Sequence, residues 1–420
     1  MTNTLAQPVT GSALNWMRLE RFLLLGSQDG TWPVARRPLK PEHASAAHAC
    51  LLEDGSRVVE TVVRFTATRN APSRQPALLV LAMAASPAYA GARTNGAALA
   101  ALPQVAVTGA QLLHFVRFAE TQRGWGRGLR SAVADWYLRK PAAELARHFA
   151  VRSHRDLLRN AHPKPVNAAQ NALFQWAVEG RLGHLATPEL LSGELRLIHA
   201  LEQVRAATSE DDVVRIIEDY RLPHHLVPAE WKTSERVWEA LLHSLPYRAM
   251  VKHLGQLIAP QSASTALLVA RLIDRRRIFE SRIHPAALLV AWRTYQRSQN
   301  AVQCVVDALE EAFHLASANV EPLSLAVTHD DSPECSLAAA ALALMSKASG
   351  PIAASVIITG SAVRPRFRCG SEPQITIAVN ARRCHTANPD DPLELAIAGF
   401  DPRVPALITE FLLCPCTTRA

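Results

Sequence analysis

From Asn15 to Ala316 the chain is cut, again and again, into amphipathic helical stretches by proline or glycine, with no convincing strand alternation between them. Leu129, Val133, Trp136 and Tyr137 fall at i, i+4, i+7 and i+8, which is one face of a helix. Val213, Val214 and Ile217 repeat the habit and stop before Pro223, and Thr233 or Ser234 can cap a helix carrying Val237, Leu241 and Leu242 up to Pro246. Met250, Val251 and Leu254 follow, then runs from Thr265 to Phe279, Ala286 to Tyr295 and Val302 to Ala316. Helices of this length joined by short breaks predict stacked helical pairs of the solenoid type, with a degenerate repeat because no clean period is visible.

After Asn319 the texture changes. Leu323–Val327, Ser355–Ile358 and Gln374–Val379 are short β-rich runs, and Leu337–Met345 between the first two is helical. Strands alternating with helices predict a small parallel α/β unit. Charge changes at the same place. Residues 321–420 carry eight Lys+Arg against ten Asp+Glu, so the excess behind the net charge of +8 belongs wholly to the first three quarters of the chain. The expected organisation is a flexible N-terminus over 1–12, a helical module over 13–318 and an α/β unit over 319–416.

With 49% hydrophobic and 20% charged residues, disorder is excluded for most of the 420 residues. Seven scattered cysteines argue against a secreted disulfide scaffold. The N-terminus has neither a basic nor an apolar leader segment. The apolar stretch Ala77–Ala92 starts too late to be a leader and is too short to span a bilayer, so a buried helix and a cytoplasmic protein are expected.

The densest basic signal runs from Arg123 to Lys164. Arg123, Arg127 and Arg130 surround three glycines just before a helix, a pattern that suits either an anion site or a tight interhelical turn. Ser153-His154-Arg155-Asp156 reads as a capping-box start with Asp156 at the third helical position, on a helix running to Pro163. Arg155, Arg159 and His162 share one face of it, and Leu157, Leu158 and Ala161 the other. Basic residues in the first turn oppose the helix dipole, a mismatch that an external phosphate would relieve; a solvated basic face is the other reading.

Several motifs together resemble the TROVE module of Ro ribonucleoproteins. They are Asn15–Gly26 with Asp29-Gly30-Thr31-Trp32, Arg123–Arg130 before Asp135-Trp136-Tyr137, Ser153–Pro165, Arg282–Pro285 and Asn319–Pro322. The resemblance covers nearly the whole chain. It implies a mainly α fold, a ring of HEAT-like helical repeats. This would bind single-stranded 3′ ends of defective structured RNA in its hole and a small noncoding Y RNA on its outer basic face. On this resemblance the Arg155/Arg159/His162 stripe lies in the Y RNA region. The C-terminal unit resembles the family's von Willebrand factor A domain, reduced by an internal deletion. Its metal site needs Asp-x-Ser-x-Ser, and Thr328, Asp330 and Ser332 stand there instead, so no bound metal or other cofactor is expected.

Other constellations carry less. One-residue spacing in Cys414-Pro-Cys416, with Cys384-His385 and Cys369, suits zinc poorly, and His224-His225 reads as a surface loop. No Walker loop, Ser/His/Asp set or paired carboxylates can be argued from spacing, so no catalytic residue is named. Aromatics are few, base stacking is not the expected mode, and Trp16, Trp125, Trp136 and Trp292 are expected as core anchors. The resulting expectation is an RNA-binding scaffold, not an enzyme, acting in RNA quality control or processing. Its contacts are Arg127, Arg130, Lys140, Arg147, Arg152, His154, Arg155, Arg159, His162 and Lys164. Expected partners are small noncoding RNA and structured RNA with single-stranded ends, with a nuclease or RNA-repair enzyme implied by the resemblance, and neither DNA nor membrane. The competing expectation is a protein-interaction scaffold that has lost RNA binding.

Overall fold

The computed structural model describes residues 11–33, 38–69, 71–257, 263–317, 324–327, 355–358, 376–380, 394–398 and 403–412. It is mainly α-helical, and two compact units divide it. One comprises 1–107, 111–128 and 321–420; the other comprises 108–110 and 129–320. The N-terminal helices thus cluster with the α/β segment, a grouping different from a division at residue 318.

The first unit holds helices α1 (Gly11–Leu25), α2 (Ser45–Thr68), α3 (Gln75–Ala84), α4 (Ala92–Val105) and most of α5 (Gly109–Arg123). Leu19, Phe22 and Leu23 of α1 are fully buried, and α3 is buried from Pro76 to Ala84, as its apolar sequence requires. The helix α2 kinks at Asp54, whose carboxylate accepts from the Arg57 amide at 3.0 Å and so caps the second half internally. Next to the kink Gly55 lies against α4, where an added Cβ would stand 2.5 Å from the Thr94 hydroxyl. Among the described residues no helix is long and apolar enough to cross a membrane.

The sheet of this unit is wholly parallel, in the order β1-β5-β4-β3-β2, with β1 Thr31–Pro33, β2 Ser324–Val327, β3 Ser355–Ile358, β4 Thr376–Asn380 and β5 Glu394–Ala398. Parallel pairing of β2, β3 and β4 agrees with the expected α/β unit. Two strands were not anticipated. In β5 the consecutive residues Leu395, Ala396 and Ile397 are all buried, a run without alternation, as in a strand covered on both faces. At the far end of the chain Asp29 accepts from the Thr31 amide at 3.2 Å and its hydroxyl at 2.7 Å. This sets β1 beside β5, with the Ala396 amide donating to Gly30 at 2.9 Å. The Asp29–Trp32 motif is therefore a strand-forming device. The expected helix Leu337–Met345 lies outside the described residues, as do Thr328, Asp330, Ser332, Cys369, Cys384, His385, Cys414 and Cys416.

The second unit continues from α6 (Arg127–Leu138) through α7 (Ala142–Val151), α8 (Arg155–Ala161), α9 (Ala168–Glu179), α10 (Pro188–Ser192) and α11 (Arg196–Ala206). It ends with α12 (Glu210–Tyr220), α13 (Glu235–Leu242), α14 (Tyr247–Lys252), α15 (Ala263–Leu272), α16 (Arg275–Ser281), α17 (Pro285–Gln296) and α18 (Gln303–Ser317). Successive helices pack on one another, α11 on α12, α12 on α13 and α17 on α18, the local pattern of a helical repeat. Their ends follow from local chemistry. Ser234 caps α13 by accepting from the Val237 amide, while Arg221 after α12 and Arg282 after α16 adopt left-handed backbone conformations.

Three expectations differ in detail. The first is the run Thr265–Phe279, which is two helices: the Asp274 carboxylate accepts from the Arg276 and Arg277 amides and starts a new one. The second is the end of the N-terminal segment expected over 1–12, because α1 already begins at Gly11. The third concerns tryptophans. Trp136 is fully buried, whereas Trp16, Trp125 and Trp292 are half-buried, and the core uses Trp32, Trp176 and Trp238 instead.

Candidate nucleic-acid interface

The motif Ser153–Pro165 does two jobs, because a seven-residue helix has only one side to bury. Leu157, Leu158 and Ala161 of α8 are buried, and Arg155, Arg159, His162 and Lys164 are exposed. The helix ends at Ala161, one residue earlier than expected. His162 follows in a left-handed conformation, φ +48°, its amide bonded to the Leu158 carbonyl at 2.9 Å. The turn beyond is fixed by Gln170, which is buried and donates to the Lys140 carbonyl at 2.8 Å while accepting from the Val166 amide at 3.1 Å.

Two residues expected on the basic face are placed elsewhere. His154 is 1% exposed. Its Nδ1 lies 2.8 Å from the Tyr137 hydroxyl, and its ring stacks on Phe149 at 4.8 Å within a cluster that includes Phe174. Burial, with a smaller contribution from His148, lowers its pKa to about 4, so this histidine is neutral. Gly109 makes room for it: an added Cβ there would stand 2.6 Å from the imidazole Nε2. Lys140 is committed too. Its ammonium bonds Glu144 at 2.5 Å and lies 4.9 Å from the centre of the Trp136 ring, and that bond holds the Glu144 carboxyl below its ordinary value.

These placements also revise the phosphate argument. The helix starts at Arg155 with His154 in the cap position. Ser153 accepts only from the Arg155 amide, at 3.4 Å, and does not reach the third helical residue. With a neutral, buried cap, the dipole mismatch that called for an external phosphate is reduced to Arg155 alone, which Asp156 offsets in the same turn.

What remains is a surface. Arg147, Arg152, Arg155, Arg159 and Lys164 are exposed and, among the described residues, their side chains make no ion pair or hydrogen bond; Asp156 is the sole acid between 147 and 164. Arg127 and Arg130 are likewise exposed. Arg123 is not a ligand candidate, since its guanidinium donates to the Ala85 carbonyl at 2.6 Å and closes the turn at Gly124, φ +67°.

Beside α8 opens a cleft of about 210 Å3 that sequence reasoning missed. It is lined by Arg152, Ser153, His154, Trp176, Gly180 and Arg205, with residues 149–151 and 177 completing the wall. Arg205, 53 positions beyond Arg152 (205 − 152), joins it there only because the C-terminal ends of α7, α9 and α11 converge. The wall is rigid: Trp176 donates to Glu202 at 2.9 Å, and Glu202 also accepts from the Leu182 amide at 2.9 Å. The volume is below the roughly 300–1,000 Å3 of ordinary small-molecule pockets and suits one group of a larger ligand.

A mainly helical repeat carrying an exposed, unneutralised arginine face over buried aromatic support defines a class of protein built to hold polyanions. The sequence is matched by the family model of the TROVE domain over residues 6–304, and the chain belongs to that family. It is similar to the RNA-binding protein RO60 of Deinococcus radiodurans, 34% identical over 326 residues, 73% of this chain and 60% of that protein. Caenorhabditis elegans RNA-binding protein RO60 is 25% identical over 73% of this chain and 61% of its own length. The chain thus spans about three fifths of the length of these curated relatives. The crystal structure of the D. radiodurans RO (RSR) protein matches with a TM-score of 0.82 at 25% identity, over 97% of this chain and 100% of that one.

Proposed function

We propose that this chain is the RNA-binding scaffold of a Ro-type ribonucleoprotein and binds RNA without transforming it. Small noncoding, Y-like RNA would lie on the basic face of α7–α9, and single-stranded 3′ ends of structured or misfolded RNA would be held by the helical module. A nuclease or RNA-repair enzyme would act on what the scaffold presents. The observation that carries this reading is the set Arg152, Arg155, Arg159 and Lys164, exposed and without ion-pair partners among the described residues, on elements fixed by the Tyr137–His154–Phe149 cluster. Recognition would follow shape and phosphate position, since an RNA helix hides its major-groove edges.

The test is the triple variant Arg155→Glu, Arg159→Glu, His162→Ala in a filter-binding titration against a small structured RNA. All three side chains are exposed, so the thermal midpoint should not move. Affinity at low salt should fall more than about tenfold, and the dependence of log K on log salt should become shallower by about 2. Unchanged affinity would remove this face from the account.

A further inference from the structure

The helix α16 is short but held at both ends. Asp274 accepts from the Arg276 and Arg277 amides at its start, and at its end Arg248 donates from Nε to the Ser281 carbonyl at 2.8 Å and from Nη2 to the Arg282 carbonyl. Ile278, 3% exposed, anchors its inner side. The neighbouring Phe279 is 70% exposed, the most exposed aromatic side chain among the described residues.

The charges around that ring are sorted. Arg276 bonds Glu280 at 2.7 Å and Arg277 bonds Asp274 at 3.1 Å, which uses up both acids of the segment. Arg275 and Arg282, four positions before Phe279 and three after it, are exposed, and among the described residues their side chains have no hydrogen-bond or ion-pair partner. Among the described residues no cation lies over the ring, so its face is open. An open aromatic face between two unneutralised guanidiniums on a rigid helix matches a single nucleic-acid strand: a splayed base presents a π-face, and its phosphates lie to either side.

We infer that α16 is a stacking site for an unpaired RNA base, with Phe279 under the base and Arg275 and Arg282 on the flanking phosphates. The inference rests on the RNA-binding reading above and adds to it a contact mode that sequence composition argued against. Charge complementarity selects the ligand: the segment 274–282 is net +2, which disfavours a cationic or purely apolar partner.

The experiment measures fluorescence anisotropy of the full chain with two labelled probes, a single-stranded oligoadenylate of about a dozen nucleotides and a blunt hairpin without unpaired ends. Phe279→Ala should weaken oligoadenylate binding about tenfold, within the range of base–aromatic stacking, and leave the hairpin unaffected. Phe279→Trp should retain binding and show indole quenching on addition of the oligonucleotide. Arg275→Ala with Arg282→Ala should weaken the single strand and make its salt slope shallower by about 1.4.

The exposed position of all three side chains makes an unchanged thermal midpoint the expected folding control. Oligoadenylate binding that Phe279→Ala leaves unchanged, or an equal loss on both probes, would overturn the stacking site while leaving the α8 face standing. Failure of the parent chain to bind either probe would overturn both.

Discussion

His154 shows how a single side chain can be misassigned by its neighbours. Flanked by Ser153 and Arg155 in a basic run, it reads as one more cation, yet it is a core imidazole bonded to Tyr137 and stacked on Phe149. Its folded-state pKa of about 4 lies below the ordinary histidine value of 6.5, so the unfolded chain takes up the proton first. Its contribution to stability is therefore fully present above about pH 6.5 and is lost as pH falls towards 4, a change of about 3 kcal/mol for this group. The thermal midpoint should fall between pH 7.5 and 4.5. In His154→Phe that fall should be smaller, and stability at pH 7.5 should drop by roughly 1–3 kcal/mol because the buried Tyr137 hydroxyl loses its partner. Equal pH slopes in the two proteins would contradict the assignment. Scanning calorimetry checks both points. The error in reading has a physical cause: the neighbours of His154 come from α6, α7 and the start of α5 at Gly109, and nothing in its own segment announces them.

At the scale of elements, helix faces were legible where apolar spacing was strong. Leu129, Val133, Trp136 and Tyr137 all have no exposure, and the split of α8 into a buried and a basic side follows its sequence. Breaks were less legible when no proline or glycine marked them. The division between α15 and α16 depends on one carboxylate, since Asp274 serves two amides at 3.0 and 3.2 Å. Asp274→Ala should cost about 1 kcal/mol and lower the thermal midpoint accordingly. It should also release Arg277, whose guanidinium bonds the same side chain at 3.1 Å. A midpoint equal to that of the parent chain would show that packing of Ile278, and not the cap, sets the start of α16.

At the scale of the whole molecule, fold class and family were legible through motifs spread along the chain, and long-range pairing was not. A three-residue strand such as Thr31–Pro33 has no periodicity to read, and its partner Glu394–Ala398 lies near the other end of the sequence. Likewise Arg205 could not be joined to Arg152 before the helices were placed. What the sequence did expose, an arginine-rich face out of balance with its acids, is the part of the site that needs no partner inside the protein. On the proposed reading this face holds a structured RNA by its phosphates. The most direct test is to recover the full chain at low salt, treat it with nuclease, and sequence any nucleic acid that high salt releases. The expected result is a discrete small structured RNA that is absent when Arg155 and Arg159 are changed to Glu. Protein that carries none, and that also ignores an added hairpin with a single-stranded 3′ tail, would contradict it.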